Sequence, residues 1–566
     1  MSLVATLVHS HHLRPADARL AAWIARAFPS APSEAALAAA LAARAVAEGH
    51  SALPLDKAQA WLDGLDATAA APHLPDLPTW RRALAQLPDG LPLVLDAAGR
   101  VYLRRYAEYE RALAATLVQR ASNPYPNVVA APASALAGTD PEQRHAIEVA
   151  LKQRLTVITG GPGTGKTYIV MRMLAALAHA AAARGTTLRI ALAAPTGKAA
   201  ARLNETLRAQ LATLQLPTEV IAQLEAGTLH RLLGLSPWRA TPRHGRAAPL
   251  PFDVVVVDEV SMVDLPLMAK LAAAVADEAR LILLGDPQQL AAVEAGDVLG
   301  ALVAAAARGD LGRCHAALAR SHRFGAESAL ARLAGAVAAG DADAALASLG
   351  TDASVALADA ATPHALVAAA SAAYARVVQA ESPAAALDAA RSYRVLTALR
   401  HGAWGCVALD RAIAAHLVRR LGRPPATHWW QGRLVMVTSN RDELGLYNGD
   451  TGVVFADKDG VMKAWFEGPD GQARGFAPAV LPPIEGAFAL TVHKAQGSEF
   501  ECVALATGPA SQVLTRELLY TGITRARAAL TVYSDAPILH TAIARRGERF
   551  GGLADRLHEA AAALPP

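Results

Sequence analysis

Gly160-Gly161-Pro162-Gly163-Thr164-Gly165-Lys166-Thr167 combines four glycines, a lysine and a hydroxyl at the spacing that grips a nucleoside triphosphate. Glycines let successive backbone N–H groups turn inward around phosphate oxygens, and a helix N-terminus adds partial positive charge. Lys166 is expected to reach the β- and γ-phosphates of ATP, and the Thr167 hydroxyl to hold Mg²⁺. The apolar run 155–159 before the loop reads as a buried strand and 168–183 after it as a helix, the context this chemistry requires.

Three further groups suit the same reaction. The apolar run 252–258 ends in Asp258-Glu259, where an α/β sheet presents its ligand edge. Asp258 is expected to hold Mg²⁺, directly or through water, and Glu259 to orient or deprotonate the attacking water. Gly285-Asp286-Pro287-Gln288-Gln289-Leu290 follows another apolar strand, and Gln289 can sense the γ-phosphate without adding charge. Asp140-Pro141-Glu142-Gln143 opens a helix upstream of the glycine loop; Gln143 is a candidate for pairing with adenine, and Asp140 for capping the helix.

These residues need elements to position them. From Asp140 onward, predicted strands alternate with helices, the signature of a parallel sheet covered on both faces. Strands are expected at 155–159, 187–194, 252–258 and 280–285, and a second set at 393–398, 488–492, 501–506 and 529–534. The fold class is therefore α/β, with two RecA-like P-loop lobes of which only one carries a glycine loop. Between 432 and 482 short alternating runs separated by Asn448-Gly449-Asp450, 457–460 and 469–471 predict a small antiparallel barrel or meander. The expected division is a helical N-terminal docking domain over 1–115, a first lobe over 116–335, a second lobe over 336–430 and 485–566, and the barrel over 431–484. Residues 102–112 read as one amphipathic helix, and 121–138 as a linker.

Composition sets limits on all of this. The 566 residues are 53% hydrophobic, but the long apolar stretches are alanine-rich helices interrupted by Arg, His, Ser or Tyr before they reach spanning length. No membrane span or signal peptide is read, which predicts a cytoplasmic protein. Cys314, Cys406 and Cys502 are too scattered for a disulfide framework or a metal cluster. A net charge of +4 permits a nucleic-acid partner without demonstrating one.

Taken together, these blocks resemble superfamily one helicases, from Gln143 to Arg527. Ala194-Pro-Thr-Gly-Lys-Ala-Ala200, Thr228-Leu-His-Arg-Leu-Leu-Gly234, Val257-Asp-Glu-Val-Ser-Met-Val-Asp264 and Thr491-Val-His-Lys-Ala-Gln-Gly-Ser-Glu-Phe500 resemble the RecD branch, the α subunits of exodeoxyribonuclease V. The resemblance implies a 5′-to-3′ DNA motor, with RecB and RecC as partner subunits and the nuclease chemistry in RecB. It further implies that Thr196, Lys198, Thr228 and His230 in the first lobe, and Thr491, His493 and Gln496 in the second, line a single-strand path. A structural hydrogen-bonding role stands beside the DNA contact for both histidines. Glu499 would contact the ribose of ATP. Arg323 and Arg525 would stabilise charge on the transferred phosphoryl group from the wall opposite Lys166, an effect worth about 10³ to 10⁵ in rate. The basic loop 236–246 is a candidate wedge for splitting duplex DNA, with a surface loop as the alternative. Two other readings are a self-sufficient relative working without RecB and RecC, and an assembly subunit with a relic motor. Competent residues at every nucleotide position weigh against the relic.

Overall fold

A computed structural model of the chain describes residues 2–564 apart from 66–68, 86, 89, 127, 129, 212–220, 222–223, 237–238, 240, 323–327, 360, 421–427 and 469–470. Arg323 and part of the 236–246 loop therefore lie outside the described residues.

Leu155–Gly160, Val254–Val257 and Arg280–Gly285 are buried along their whole length. Such continuous apolar runs have no solvent face, so they form the centre of a parallel sheet with helices on both sides. The sheet has six strands in the order 226–228, 190–194, 254–257, 280–285, 155–160, 315–318, every pair parallel. Parallel pairing brings all six C-terminal ends to one edge. The glycine loop, Asp258-Glu259, the Asp286–Leu290 turn, Thr196 and Thr228 all follow that edge.

A second parallel sheet runs in the order 355–357, 526–533, 500–506, 393–397, 489–491. Between its strands at 393–397 and 489–491 lies a separate antiparallel sheet, ordered 473–476, 462–467, 451–456, 434–437, 484–486. Its turns contain Gly449 and Gly460 at φ of +96° and +78°, a backbone region other residues enter at a cost. Val435, Val437, Val454, Ala464 and Phe466 form its small core. Its edge strands Ala473–Phe476 and Ile484–Gly486 share no register among the described residues, so of the two expected forms the meander is the one observed.

The N-terminal region packs helices Leu3–His9, Pro15–Ala27 and Ser33–Ala47 around Leu7, Ile24, Leu41 and Trp80. It also holds a three-stranded antiparallel sheet, ordered 53–54, 100–103, 93–95. The single helix read over 102–112 divides accordingly: Arg100–Leu103 is a strand and the helix is Arg104–Ser122. Tyr102, Tyr106 and Glu110 are buried in the protein, while Arg104, Arg105, Glu108 and Arg111 on the other side are exposed. The segment read as a linker contains the short helix Ala133–Leu136.

After the helix Ala536–Ala544 the chain crosses back to the N-terminal region. Ser51 N–H donates to Phe550 O at 2.9 Å, and Phe550 N–H to His50 Nδ1 at 2.9 Å. Gly552 N–H and the Ser51 hydroxyl both donate to the buried Glu110 carboxylate, at 3.0 and 2.7 Å. Arg549 donates to the carbonyls of Glu48 and Ala292. A Cβ on Gly49, which has φ of +88°, would lie 1.4 Å from the Arg549 guanidinium, so any other residue would displace that side chain and strain the backbone. Helix Leu553–Ala562 then completes one core with Leu113, Leu117 and Leu302. No helix among the described residues is long and apolar enough to cross a membrane.

Candidate nucleotide-binding site

The glycine loop joins Leu155–Gly160 to helix Lys166–Ala182. Gly163 and Gly165 have φ of +76° and +83°, which lets the chain double back before the helix begins. A Cβ on Gly160 would lie 2.6 Å from Thr164 Oγ1 and 2.9 Å from Leu318 O, so the loop closes tightly on its neighbours. The Thr164 hydroxyl donates to Gly161 O at 2.9 Å. Lys166 Nζ donates to the carbonyls of Gly160 and Gly161, the latter at 3.0 Å, which holds the ammonium inside the loop. Thr167 follows at the first turn of the helix. Ser321 and His322 donate to Pro162 O and Gly163 O, bringing the segment that leads to Arg323 against the loop.

Asp258 leaves the end of Val254–Val257 and accepts from the N–H of Glu259 at 2.8 Å. Burial and the neighbouring Glu259 push its carboxyl up to about 6, against the pull of Lys166 and Arg202. Glu259 is one of two non-glycine residues at positive φ among those described, at +55°. The left-handed conformation costs such a residue roughly 1–2 kcal/mol, and strain of this kind concentrates where a side chain must point one way for function.

The Gly285 turn carries Asp286 and Gln289, both buried. Asp286 Oδ2 accepts from Gln289 Nε2 at 3.2 Å and Oδ1 from the Gln288 N–H at 3.0 Å. Burial raises the Asp286 carboxyl, and the nearby Lys166 charge opposes that rise. The turn is stitched to the second sheet: Leu290 N–H donates to Thr521 Oγ1 at 2.9 Å, and Gln496 Nε2 donates to Leu290 O at 3.1 Å.

From the second sheet, helix Arg516–Ile523 leads directly to Arg525. The Arg525 guanidinium is buried and donates to Thr521 O at 3.1 Å and Ser498 O at 3.2 Å. Burial lowers its pKa, while Glu259 and Glu499 pull the other way; a guanidinium stays charged here. Lys166, Asp258, Glu259, Asp286, Gln289 and Arg525 are therefore gathered in one cleft between the sheets. Gln143 and Asp140 form a reciprocal capping box, with Gln143 N–H donating to Asp140 Oδ1 at 2.9 Å. The Gln143 amide also donates to Thr164 O at 3.4 Å, so it braces the glycine loop as well as its own helix. Glu499 is paired with Arg202 across the cleft and with Arg527 at 3.0 Å. The first of these contacts ties the two sheets together at the position read as a ribose contact.

The residues read as a strand path divide into two kinds. Thr196 and Thr228 accept from the N–H groups of Ala199 and Arg231 at 3.2 Å each, so both also cap helices, and His230 is exposed. Lys198 is pushed down to about 8, chiefly by burial, with Asp450 of the inserted sheet opposing. A Cβ on neighbouring Gly197 would lie 2.7 Å from Tyr447 Cβ, so the insert packs directly onto this corner. Thr491 and Gln496 are buried, and Gln496 spends its amide on Leu290. Burial and Arg549 lower the His493 pKa.

The sequence reading missed Arg202, Asp286 and Tyr520 as members of this cleft. Asp286 stood inside the 285–290 motif and Tyr520 five residues before Arg525, and the signal was their nearness in sequence to Gln289 and Arg525.

Residues 9–102 match the RecBCD enzyme subunit RecD N-terminal domain, 143–295 an AAA domain, and 486–533 a UvrD-like helicase C-terminal domain. The RecBCD enzyme subunit RecD of Mycolicibacterium smegmatis is 41% identical over 97% of this chain and 98% of its own length. The chain belongs to the RecD family. The ATP-dependent RecD2 DNA helicase of Deinococcus radiodurans is 31% identical over 80% of this RecD-family chain and 57% of its own length. Among solved structures, a Bacteroides Pif1 helicase with ADP-AlF3 and single-stranded DNA aligns over 70% of this chain and 94% of its own, with 14% identity and a TM-score of 0.40.

Proposed function

We propose that this RecD-family protein is an ATP-dependent DNA helicase that moves 5′ to 3′ along a single strand. Its assembly would be with RecB and RecC, and its role the processing of duplex ends in double-strand break repair by homologous recombination and in degradation of linear DNA. The observation that carries the reading is the cleft in which Lys166, Asp258, Glu259 and Gln289 from one sheet meet Arg525 from the other. In such a cleft ATP bridges the sheets, and hydrolysis changes their separation.

Lys166 would exchange its carbonyl partners for phosphate oxygens. Thr167 and Asp258 supply two hard oxygen donors, a set that fits Mg²⁺, an ion usually held by one or two protein oxygens together with phosphates. Bound there, Mg²⁺ would neutralise charge on the phosphates. Glu259, held rigidly by its backbone, would accept the proton of the attacking water. Arg525 and, as the family resemblance implies, Arg323 would stabilise the charge that develops. Glu499 and the strand-path residues Thr196, Lys198, Thr228, His230, Thr491, His493 and Gln496 keep the roles the family resemblance implies for them, and Gln143 the pairing with adenine that its amide allows. For Gln143 and Gln496 these include the protein contacts described above.

Unwinding of duplexes bearing either a 5′ or a 3′ tail tests the proposal, with Lys166→Gln as control. Unwinding from the 5′ tail alone is the expected result, and preference for the 3′ tail overturns the direction. Activity of the isolated chain without RecB and RecC would favour the self-sufficient reading that the RecD2 likeness raises.

A further inference from the structure

Tyr520 lies on the second-sheet helix Arg516–Ile523, five residues before Arg525, yet its hydroxyl reaches the first sheet. It donates to Asp286 Oδ2 at 3.1 Å in a fully buried contact. A Cβ on Gly161 would lie 3.0 Å from the same hydroxyl, so the phenol stands at the glycine loop. Burial and the Asp286 charge raise the phenol pKa well beyond physiological pH, which keeps it a donor.

The carboxylate it contacts is the one that holds Gln289. A carboxylate only accepts, so the group Gln289 turns towards Asp286 must be its NH₂. The other end of the amide is then fixed: Gln289 Oε1 is buried and has no hydrogen-bond partner among the described residues. An unpaired buried carbonyl oxygen is costly unless a partner arrives. In phosphoryl-transfer enzymes a glutamine at such a position orients the attacking water.

We propose that Tyr520 is a positioning residue for ATP hydrolysis, its hydroxyl fixing Asp286 and, through Asp286, the amide of Gln289. The inference rests on the ATP-hydrolysing reading of the cleft. It assigns to the second sheet a contribution besides Arg525, one that acts through the sensor turn rather than on the phosphate. The turn's two other ties, Leu290 to Thr521 and to Gln496, remain when the phenol is removed.

The test is Tyr520→Phe in the full chain. DNA-stimulated kcat should fall about tenfold, the consequence of roughly one misdirected hydrogen bond in the transition state. The Kd for a fluorescent ATP analogue should change less than twofold. Tyr520→Phe combined with Gln289→Ala should be no slower than Gln289→Ala alone. Full kcat in Tyr520→Phe, or losses that multiply in the double variant, would overturn the proposal. Hydrogen exchange at the amides of 286–290, measured without nucleotide, reads the positioning independently of turnover. Faster exchange in Tyr520→Phe is expected, and unchanged exchange would count against the inference. Absence of ATP turnover in the unsubstituted protein would instead refute the helicase reading.

Discussion

The two parallel sheets share an architecture but not a chemistry. In the first, the three central strands end in the glycine loop, the paired acids and the Asp286–Leu290 turn, each placed by a fully buried run of four to six residues. In the second, Thr491 ends its strand, whereas Glu499 and Arg525 immediately precede the strands 500–506 and 526–533 at the opposite edge, with Tyr520 on the helix that leads to Arg525. Most of those side chains are already committed to protein partners, several of them across the cleft. On the proposed reading, the first sheet would hold phosphate and the second would register how it is held. A motor needs this inequality, because two equally binding walls would have no reason to separate after hydrolysis.

The comparison breaks first at Lys166. Lys166→Gln should reduce DNA-stimulated phosphate release by about 10³-fold or more with an unchanged melting temperature; near-normal turnover would remove the first sheet's claim to the chemistry. Arg525→Ala tests the second sheet and should lose about 10³-fold in kcat. Arg525→Lys should restore little of it, since an ammonium lacks the planar fork that reaches Thr521 O and Ser498 O together.

Smaller effects sharpen the contrast at its margins. Burial and Arg549 push the His50 pKa down to about 4, and its neutral Nδ1 accepts from the Phe550 N–H. The folded value lies below the usual 6.5, so the stabilisation is complete above pH 6.5 and is lost as pH falls towards 4. Denaturant titrations over that window should show a loss of at most about 3 kcal/mol, absent in His50→Gln. Gly197→Ala places a methyl against Tyr447 and should destabilise by about 1 kcal/mol, with faster hydrogen exchange over 446–450. A more stable variant would show that the insert does not bear on this corner.

Legibility in the sequence tracked burial. Strands such as Val254–Val257 and Arg280–Gly285 are long and apolar enough to be read directly, and with them the glycine loop and the acids at their ends. The edge strands Ala226–Thr228, His315–Leu318 and Val355–Leu357 are three or four residues long and lack a distinct pattern. Their pairing is decided by the neighbouring strand. For the same reason Leu53–Pro54 was hidden in a region read as helical. At the cleft, the types of the reactive residues were readable, whereas partnerships such as Gln496 with Leu290 or Glu499 with Arg202 arise only when distant segments meet.

The return of residues 546–562 to the N-terminal region also sets a timetable for synthesis. Ser51 and Phe550 are 499 residues apart, so the region around Ser51 is made long before the segment that finishes it. Until residues 549–552 are translated, Glu110 lacks the Gly552 N–H that satisfies it, and the Gly49 corner lacks its arginine. Domains usually fold in the order they emerge. Here the region around Ser51 and Glu110 must wait half-built, exposed to chaperones and proteases, and a ribosome that stalls between residues 533 and 549 would leave both sheets made but that region still unsealed.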